Sequence, residues 1–184
     1  MYFEVELRRK VLVLPENLGE NELVSQRCIV TQLLKNLSYE KASKDEGYFL
    51  TVSGIKSIGS GQPLRRSRHV FFPVTFTCRT FMPYRGEILQ GVVHHISRVG
   101  AFMSCGPVKL AYLSILKMPG YHYVPGDVPF FLNNELSKIN TGVVVQFVVL
   151  DVRWIEKRDS MTKEFQMLAS LDGDNLGPIS SCEL

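Results

Sequence analysis

The first residues of the chain alternate between apolar and polar side chains. Phe3, Val5 and Leu7 fall on one face, and charged residues lie between them. A period of two is typical of a half-buried β-strand. From residue 70 to residue 78 the even positions are again apolar, which predicts another strand, and Pro73 indicates an edge or a bulge within it.

Residues 22–38 follow a helical period instead. Leu23, Val30, Leu33, Leu34 and Leu37 fall on one stripe, and most of the polar residues fall elsewhere. This spacing predicts one amphipathic helix.

A short aromatic and β-branched run, residues 48–53, predicts a strand that ends at Gly54. The glycine-rich stretch that follows, residues 54–61, predicts a protruding loop. The first part of the chain therefore has the order strand, helix, strand, strand, which predicts an α+β domain over residues 1–82.

After Pro83 the pattern consists of strands with almost no helical period. Five strands are predicted, at residues 88–96, 101–104, 108–113, 143–154 and 165–171, and Ile88, Val92 and Ile96 define the first of them. Five short strands with turn signals between them favour an all-β, five-stranded barrel such as an OB fold over residues 83–184. Residues 117–140 are rich in proline and glycine and predict a long irregular excursion, a frequent kind of interaction surface.

Composition narrows the class of protein. The chain has 184 residues, of which 45% are hydrophobic and 21% charged, so a disordered or collagen-like chain is excluded. The most apolar stretch, residues 141–150, is shorter than the roughly 20 residues of a membrane-spanning helix. Charged residues near the start argue against a secretory signal. The four cysteines form no CxxC pair, so we expect free thiols that serve as small apolar residues.

Charge is distributed unevenly along the chain. Residues 1–82 contain 12 Lys and Arg and 8 Asp and Glu, a net charge of +4, whereas residues 83–184 contain 9 and 10, a net charge of −1. The excess is concentrated at Arg65, Arg66 and Arg68, beside His69. This cluster could contact phosphate or an acidic protein surface, or it could be a solvated loop.

Several motifs of the second half are similar to those of a nucleic-acid-binding barrel found in a ribosomal small-subunit protein and in RNases. They are Gly86-Glu87-Ile88-Leu89-Gln90-Gly91-Val92-Val93, Gly100-Ala101-Phe102, Gly106-Pro107 and Leu113-Ser114. Placed after a strand, helix, strand, strand half that begins Met1-Tyr2-Phe3, these motifs resemble the larger stalk subunit, the seventh subunit type, of eukaryotic and archaeal DNA-directed RNA polymerases. The resemblance covers residues 1–178.

Within that family, three segments look most similar to the version in the plant fourth and fifth polymerases. They are Tyr112-Leu113-Ser114, Lys117-Met118-Pro119-Gly120-Tyr121 and Gly173-Asp174-Asn175-Leu176-Gly177-Pro178. Those polymerases make the non-coding transcripts of RNA-directed DNA methylation. A stalk subunit of RNA polymerase II and a free-standing single-stranded RNA-binding protein are the alternatives, and an RNase would need a carboxylate cluster that the motifs do not supply.

The resemblance implies a division of labour between the two halves. The first half would be a tip that docks on the polymerase core, and the barrel would lie beside the RNA exit. The expected core contacts are Tyr2, Phe3, Gly54, Ile55, Ile58, Gly59 and Gly61. Glycines would let the backbone enter a narrow cleft and adopt positive φ.

The resemblance also implies the partners and the compartment. The expected partners are a small helical stalk subunit, the fourth subunit type, together with the largest polymerase subunits, the small core subunit at the clamp base and nascent single-stranded RNA. The expected location is the nucleus, away from any membrane. No catalytic residue, metal or cofactor is expected. His94 and His95 are neighbours on a predicted strand and would point to opposite faces.

The expected RNA contacts combine rings with cations, because bases stack on aromatic side chains while cations follow the phosphates. They are Phe102, Tyr112, Arg98, Lys109, Arg85 and Arg153. Phe102 stands where the barrel family places a stacking ring, although it could also be a core aromatic, and Val99 replaces a ring found in relatives. The net charge of the barrel half predicts weak, salt-sensitive and sequence-tolerant binding.

Overall fold

The computed structural model describes residues 1–14, 25–64, 69–157 and 162–179. This part of the chain is mostly β-strand with one α-helix. It divides into two compact units, Tyr2–Met82 and Pro83–Leu184, and Met1 belongs to the second. No helix among these residues is long and apolar enough to cross a membrane. Several residues of the sequence predictions lie outside the described residues: Leu23, Arg65, Arg66, Arg68 and Cys182.

The unit Tyr2–Met82 is an antiparallel sheet with one helix against it. Its elements are β1 (Tyr2–Val13), α1 (Gln26–Glu40), β2 (Ala42–Ser43), β3 (Gly47–Ile58), β4 (Gln62–Pro63) and β5 (Val70–Phe81). The sheet has the order β1-β5-β3-β2, and β4 also pairs with β5. The long elements therefore follow the predicted order of strand, helix, strand, strand.

The core of this unit lies between the sheet and α1. Ile29, Leu33 and Leu37 recur at helical spacing on one face of α1 and pack into a buried cluster with Leu7 and Phe76. Each such side chain contributes about 1.5–3 kcal/mol by leaving water. The predicted stripe was wrong in two respects: it left out the buried Ile29, and it included Leu34, which lies on the outer face and is 44% exposed.

Strand β3 is longer than the sequence predicts. It continues through Gly54 to Ile58 and stays paired with β5, with register shifts between Val52 and Gly54 and between Ile55 and Ser57. The predicted loop over residues 54–61 is therefore wrong, and only residues 59–61 connect β3 to β4.

Pro73 does not mark an edge strand, because β5 is paired on both sides. It lies between Val74, which pairs with the last residue of β3, and Phe71, which pairs with β4. Pro73 therefore falls in the gap between the β3–β5 pairing and the β4–β5 pairing. Because no ladder residue lies opposite it on this side of β5, its missing N–H removes no hydrogen bond there.

The unit Pro83–Leu184 contains a closed path of five strands. Its elements are β6 (Ile88–Ser97), β7 (Gly100–Cys105), β8 (Val108–Ser114), a 3₁₀ turn (Ile115–Lys117), β9 (Tyr121–Val124), β10 (Phe130–Asn133), β11 (Lys138–Ile139), β12 (Val144–Lys157), β13 (Thr162–Ser170) and β14 (Gly177–Pro178). The path runs β6-β7-β8-β13-β12 and returns to β6; only the β8–β13 pair is parallel. Such closure leaves no free edge among the five strands.

Alternating residues of these strands fill the interior, including Val93, Met103, Leu113 and Phe147, which are 0–1% exposed. Ile88, Val92 and Ile96 define β6 as the sequence predicts, but only Ile96 of the three is buried. Ile88 and Val92 are 58% and 43% exposed, because strand alternation turns Gly91 and Val93 inward instead.

Two cysteines behave as the sequence predicts. Cys78 in β5 and Cys105 in β7 are buried free thiols. Burial raises the pKa of the Cys78 thiol, and it raises that of Cys105 to about 11. Both thiols therefore stay protonated at neutral pH and act as small apolar side chains.

The excursion over residues 117–140 is not irregular. Strands β9, β10 and β11 form a three-stranded antiparallel sheet in the order β11-β10-β9. Phe131 and Ile139 are fully buried, and the Tyr121 and Ser137 hydroxyls lie 3.1 Å apart in a hydrogen bond. Prolines and glycines occupy the turns around these strands, which explains why their short apolar runs gave no strand signal.

Candidate nucleic-acid interface

Phe102 lies on the outer face of the barrel. Its neighbours on β7, Ala101 and Met103, are fully buried, and successive side chains of a strand point to opposite faces. Phe102 is half-buried between them, so the alternative of a core aromatic is wrong. Its side chain is partly exposed to solvent.

Three rings form a row across β6, β7 and β8, here called the aromatic row: His95, Phe102 and Tyr112. Phe102 pairs with His95 on one neighbouring strand and with Tyr112 on the other. The ring centroids lie 5.8 Å apart for His95 and Phe102 and 5.0 Å apart for Phe102 and Tyr112. The Tyr112 hydroxyl donates a hydrogen bond of 2.8 Å to the carbonyl of Val99, which fixes the position of that ring.

The sequence prediction missed His95 because a bulge interrupts β6. The pairing register shifts between Val93 and His95, and His94 and His95 are both exposed between the buried Val93 and Ile96. The expectation that the two histidines point to opposite faces is therefore wrong. The only signal in the sequence is the three-residue spacing of Val93 and Ile96, which does not fit strict alternation.

Three of the four predicted cations are exposed on the strands and turns around the row. Arg98 is exposed in the turn between β6 and β7, next to Val99. Lys109 is exposed on β8, three residues before Tyr112, or about 10 Å along the strand. Arg153 is exposed on β12 opposite Gln166, which in turn pairs with Leu110 of β8.

Arg85 lies far from the His95 end of the row. It precedes β6, whereas His95 lies near the end of that strand. At roughly 3.3 Å per residue, the start of β6 is about 20 Å from His95. The candidate site therefore consists of the aromatic row with Arg98, Lys109 and Arg153, and its contact with RNA stays a prediction.

This arrangement can stack bases but holds little positive charge. A carboxylate also lies on this side of the barrel: Asp151 of β12 pairs with Leu168 of β13, and Leu168 pairs with Tyr112 of β8. Val99 is 59% exposed and supplies no ring. Among the described residues, no group of three or more His, Cys, Asp and Glu side chains is placed to hold a metal ion.

The predicted core contacts are split between the two ends of the first unit's sheet. Tyr2 is 56% exposed at one end, with its ring 5.1 Å from that of Phe81 and 5.4 Å from the Arg79 guanidinium. Phe3 beside it is half-buried. Gly59 donates its N–H to the carbonyl of Pro73, eight residues before Phe81 on β5, so the two groups lie about 25 Å apart along that strand.

The remaining predicted contacts serve the sheet itself. Ile55 and Ile58 pack against the core cluster of the first unit, and Gly54 pairs with Thr77. A Cβ at Gly59 would lie 2.6 Å from Cγ of Pro73, and one at Gly61 would lie 2.8 Å from Cγ1 of Val70. None of Gly54, Gly59 and Gly61 has a positive φ, contrary to the expectation from the sequence. Glycine is needed at positions 59 and 61 because a side chain there would clash within the sheet.

Comparison with known proteins gives long matches of high identity. The chain is 43% identical to DNA-directed RNA polymerase IV subunit 7 of Arabidopsis thaliana over 178 residues, covering 97% of this chain and 99% of the relative. It is 41% identical to DNA-directed RNA polymerase V subunit 7 of the same plant over 180 residues, or 98% and 99%. DNA-directed RNA polymerase II subunit RPB7 of Glycine max is 29% identical over 154 residues, or 83% and 85%. No protein-family model matches.

Proposed function

Since the chain belongs to the subunit 7 family of DNA-directed RNA polymerases, we propose that it is a non-catalytic stalk subunit of a plant polymerase of the IV or V type. The observation that carries this proposal is the higher identity, over nearly the whole chain, to the subunits of polymerases IV and V than to that of polymerase II. The corresponding process is transcription for RNA-directed DNA methylation, and the location is the nucleus. Catalysis belongs to other subunits of the enzyme.

The two units take different tasks in this proposal. The unit Tyr2–Met82 is the tip that docks on the polymerase core, and the unit Pro83–Leu184 is an OB-fold domain that contacts nascent RNA. The closed path of five strands supports the OB assignment, because that fold is a five-stranded Greek-key barrel that binds oligonucleotides across its strands. The aromatic row, which crosses three of those strands on the outer face, supports the RNA contact.

The partners follow from membership of a multisubunit polymerase. They are the largest subunits, the small core subunit at the clamp base and a small helical stalk subunit. The predicted core contacts lie at opposite ends of the sheet, so we assign docking to one end only. We choose the end that carries the connection of residues 59–61. This connection is exposed, lies at the far end of β5 from Tyr2, and is held by the hydrogen bond from Gly59 to Pro73.

This docking assignment predicts the effect of bulk at Ser60. Ser60 is exposed between the two tightly packed glycines, so Ser60→Trp adds a large side chain without the clash that a Cβ at either glycine would cause. We expect a tagged Ser60→Trp chain to recover about tenfold less of the largest polymerase subunits from native extract, equivalent to roughly 1.4 kcal/mol of binding free energy. Quantitative mass spectrometry of the eluate measures this.

Lys44→Trp is the matched control, because Lys44 is exposed in the turn between β2 and β3 of the same unit. It should recover the polymerase as the unchanged chain does. Equal recovery with Ser60→Trp would contradict docking through residues 59–61. Recovery of polymerase II peptides in place of those of polymerases IV and V would contradict the choice of enzyme.

A further inference from the structure

The bulge in β6 changes which residue faces solvent next to Phe102. Without it, strand alternation from the buried Val93 would turn His95 inward and Ile96 outward. The observed pattern is the reverse, with Ile96 5% exposed and His95 exposed. Bulges commonly re-aim a side chain near a functional site. Here the bulge delivers an imidazole to the outer face at the position paired with Phe102.

His95 continues the row rather than standing apart from it. Its ring is tilted by 37° against Phe102, and Phe102 is tilted by 34° against Tyr112, so each ring is in tilted contact with its neighbour in the row. The centroid spacings of 5.8 Å and 5.0 Å follow the spacing of neighbouring strands, about 4.8 Å. This agreement is expected, because His95, Phe102 and Tyr112 lie on the three neighbouring strands β6, β7 and β8.

We infer that His95 is a third base-stacking residue of the RNA surface and takes the place of the ring that is missing at Val99. This inference rests on the proposed RNA contact of the barrel. Imidazole rings, like those of Phe and Tyr, serve as platforms for unstacked bases of single-stranded RNA. With His95, the barrel would offer single-stranded RNA three neighbouring rings on three strands.

His94 provides a matched control within the same strand. It is a histidine of equal chemistry, exposed one residue away, but the described ring contacts include none to His94. A stacking role therefore predicts a loss with His95→Ala and no loss with His94→Ala. A role that depends only on positive charge predicts similar effects of the two changes.

The test is the affinity of the full-length chain for a fluorescein-labelled oligouridylate of about 12 nucleotides, measured by fluorescence anisotropy at low salt. We expect His95→Ala to weaken binding about fivefold or more, while His95→Phe and His94→Ala stay within about twofold of the unchanged chain. Phe102→Ala serves as the positive control for the row. The unfolding transition of each variant shows whether the barrel is intact.

Different outcomes separate this inference from the proposed function. If Phe102→Ala weakens binding and His95→Ala does not, the stacking role of His95 is overturned and the RNA contact stands. If His95→Ala and His94→Ala weaken binding equally, charge rather than stacking is responsible and the inference is wrong. If the unchanged chain does not bind the oligonucleotide, the RNA contact itself fails and the inference fails with it.

Discussion

A chain that carries both Phe102→Ala and Tyr112→Ala should bind single-stranded RNA about 30-fold or more weakly than the unchanged chain. Each base stacked on an aromatic ring contributes about 1–3 kcal/mol, and the two changes remove two adjacent platforms. The rings are 5.0 Å apart on the outer face of β7 and β8, so they are placed to act together. Anisotropy of a labelled oligouridylate, titrated at low salt, measures the change.

Conservative variants at the same positions provide the controls. Phe102→Tyr keeps the ring, and Tyr112→Phe loses only the hydrogen bond to the Val99 carbonyl, so both should bind within about threefold of the unchanged chain. The salt dependence should be shallow, with a slope of about −2 in log K against log salt, because three cations flank the row. Unchanged affinity of the double alanine variant would place the RNA contact elsewhere on the chain.

Phe147→Ala should lower the free energy of unfolding of the barrel by about 3–5 kcal/mol. Phe147 is fully buried on β12, the strand that pairs with both β6 and β13. Its ring packs against Gly91, where a Cβ would lie 3.1 Å from Cε1 of Phe147, and a glycine has no side chain with which to fill the space that the ring leaves. The truncation leaves a cavity in addition to the lost burial of the ring.

The lone tryptophan makes this measurement specific to the barrel. Trp154 lies on β12 with its ring 4.7 Å from that of Phe165, so its fluorescence reports unfolding of that unit in guanidinium chloride. Leu116→Ala is the control, since Leu116 is 88% exposed and its loss should change stability by less than about 0.5 kcal/mol. An unfolding midpoint for Phe147→Ala equal to that of the unchanged chain would mean that β12 does not carry the barrel core.

Strands with one buried face and one solvent-exposed face could be predicted, because apolar and polar side chains alternate along them. Strand β1 alternates, with Leu7, Val11 and Val13 buried and Arg8 and Lys10 exposed. The five strands of the closed path were also predicted within a few residues of their observed bounds. In each case one face packs on the core and the other meets water, which is the condition for a readable period.

The errors arise where pairing overrides the local signal. Gly54 indicated the end of a strand, but tertiary pairing with Thr77 of β5 holds it inside β3. The bulge at His94 and His95 depends on how β6 and β7 align, which no single segment records. The aromatic row was therefore only partly predictable: the sequence indicated Phe102 and Tyr112 as outer rings, and it did not indicate His95 beside them.

The most direct test of the polymerase assignment is the distribution of this chain in a native extract fractionated on a glycerol gradient. A stalk subunit should sediment with the largest subunits of a polymerase, in roughly equal molar amount, and should stay there after RNase treatment. The contradicting result is a chain that sediments as a free protein of 20.9 kDa, or with ribonucleoprotein that RNase disperses, in fractions without those subunits.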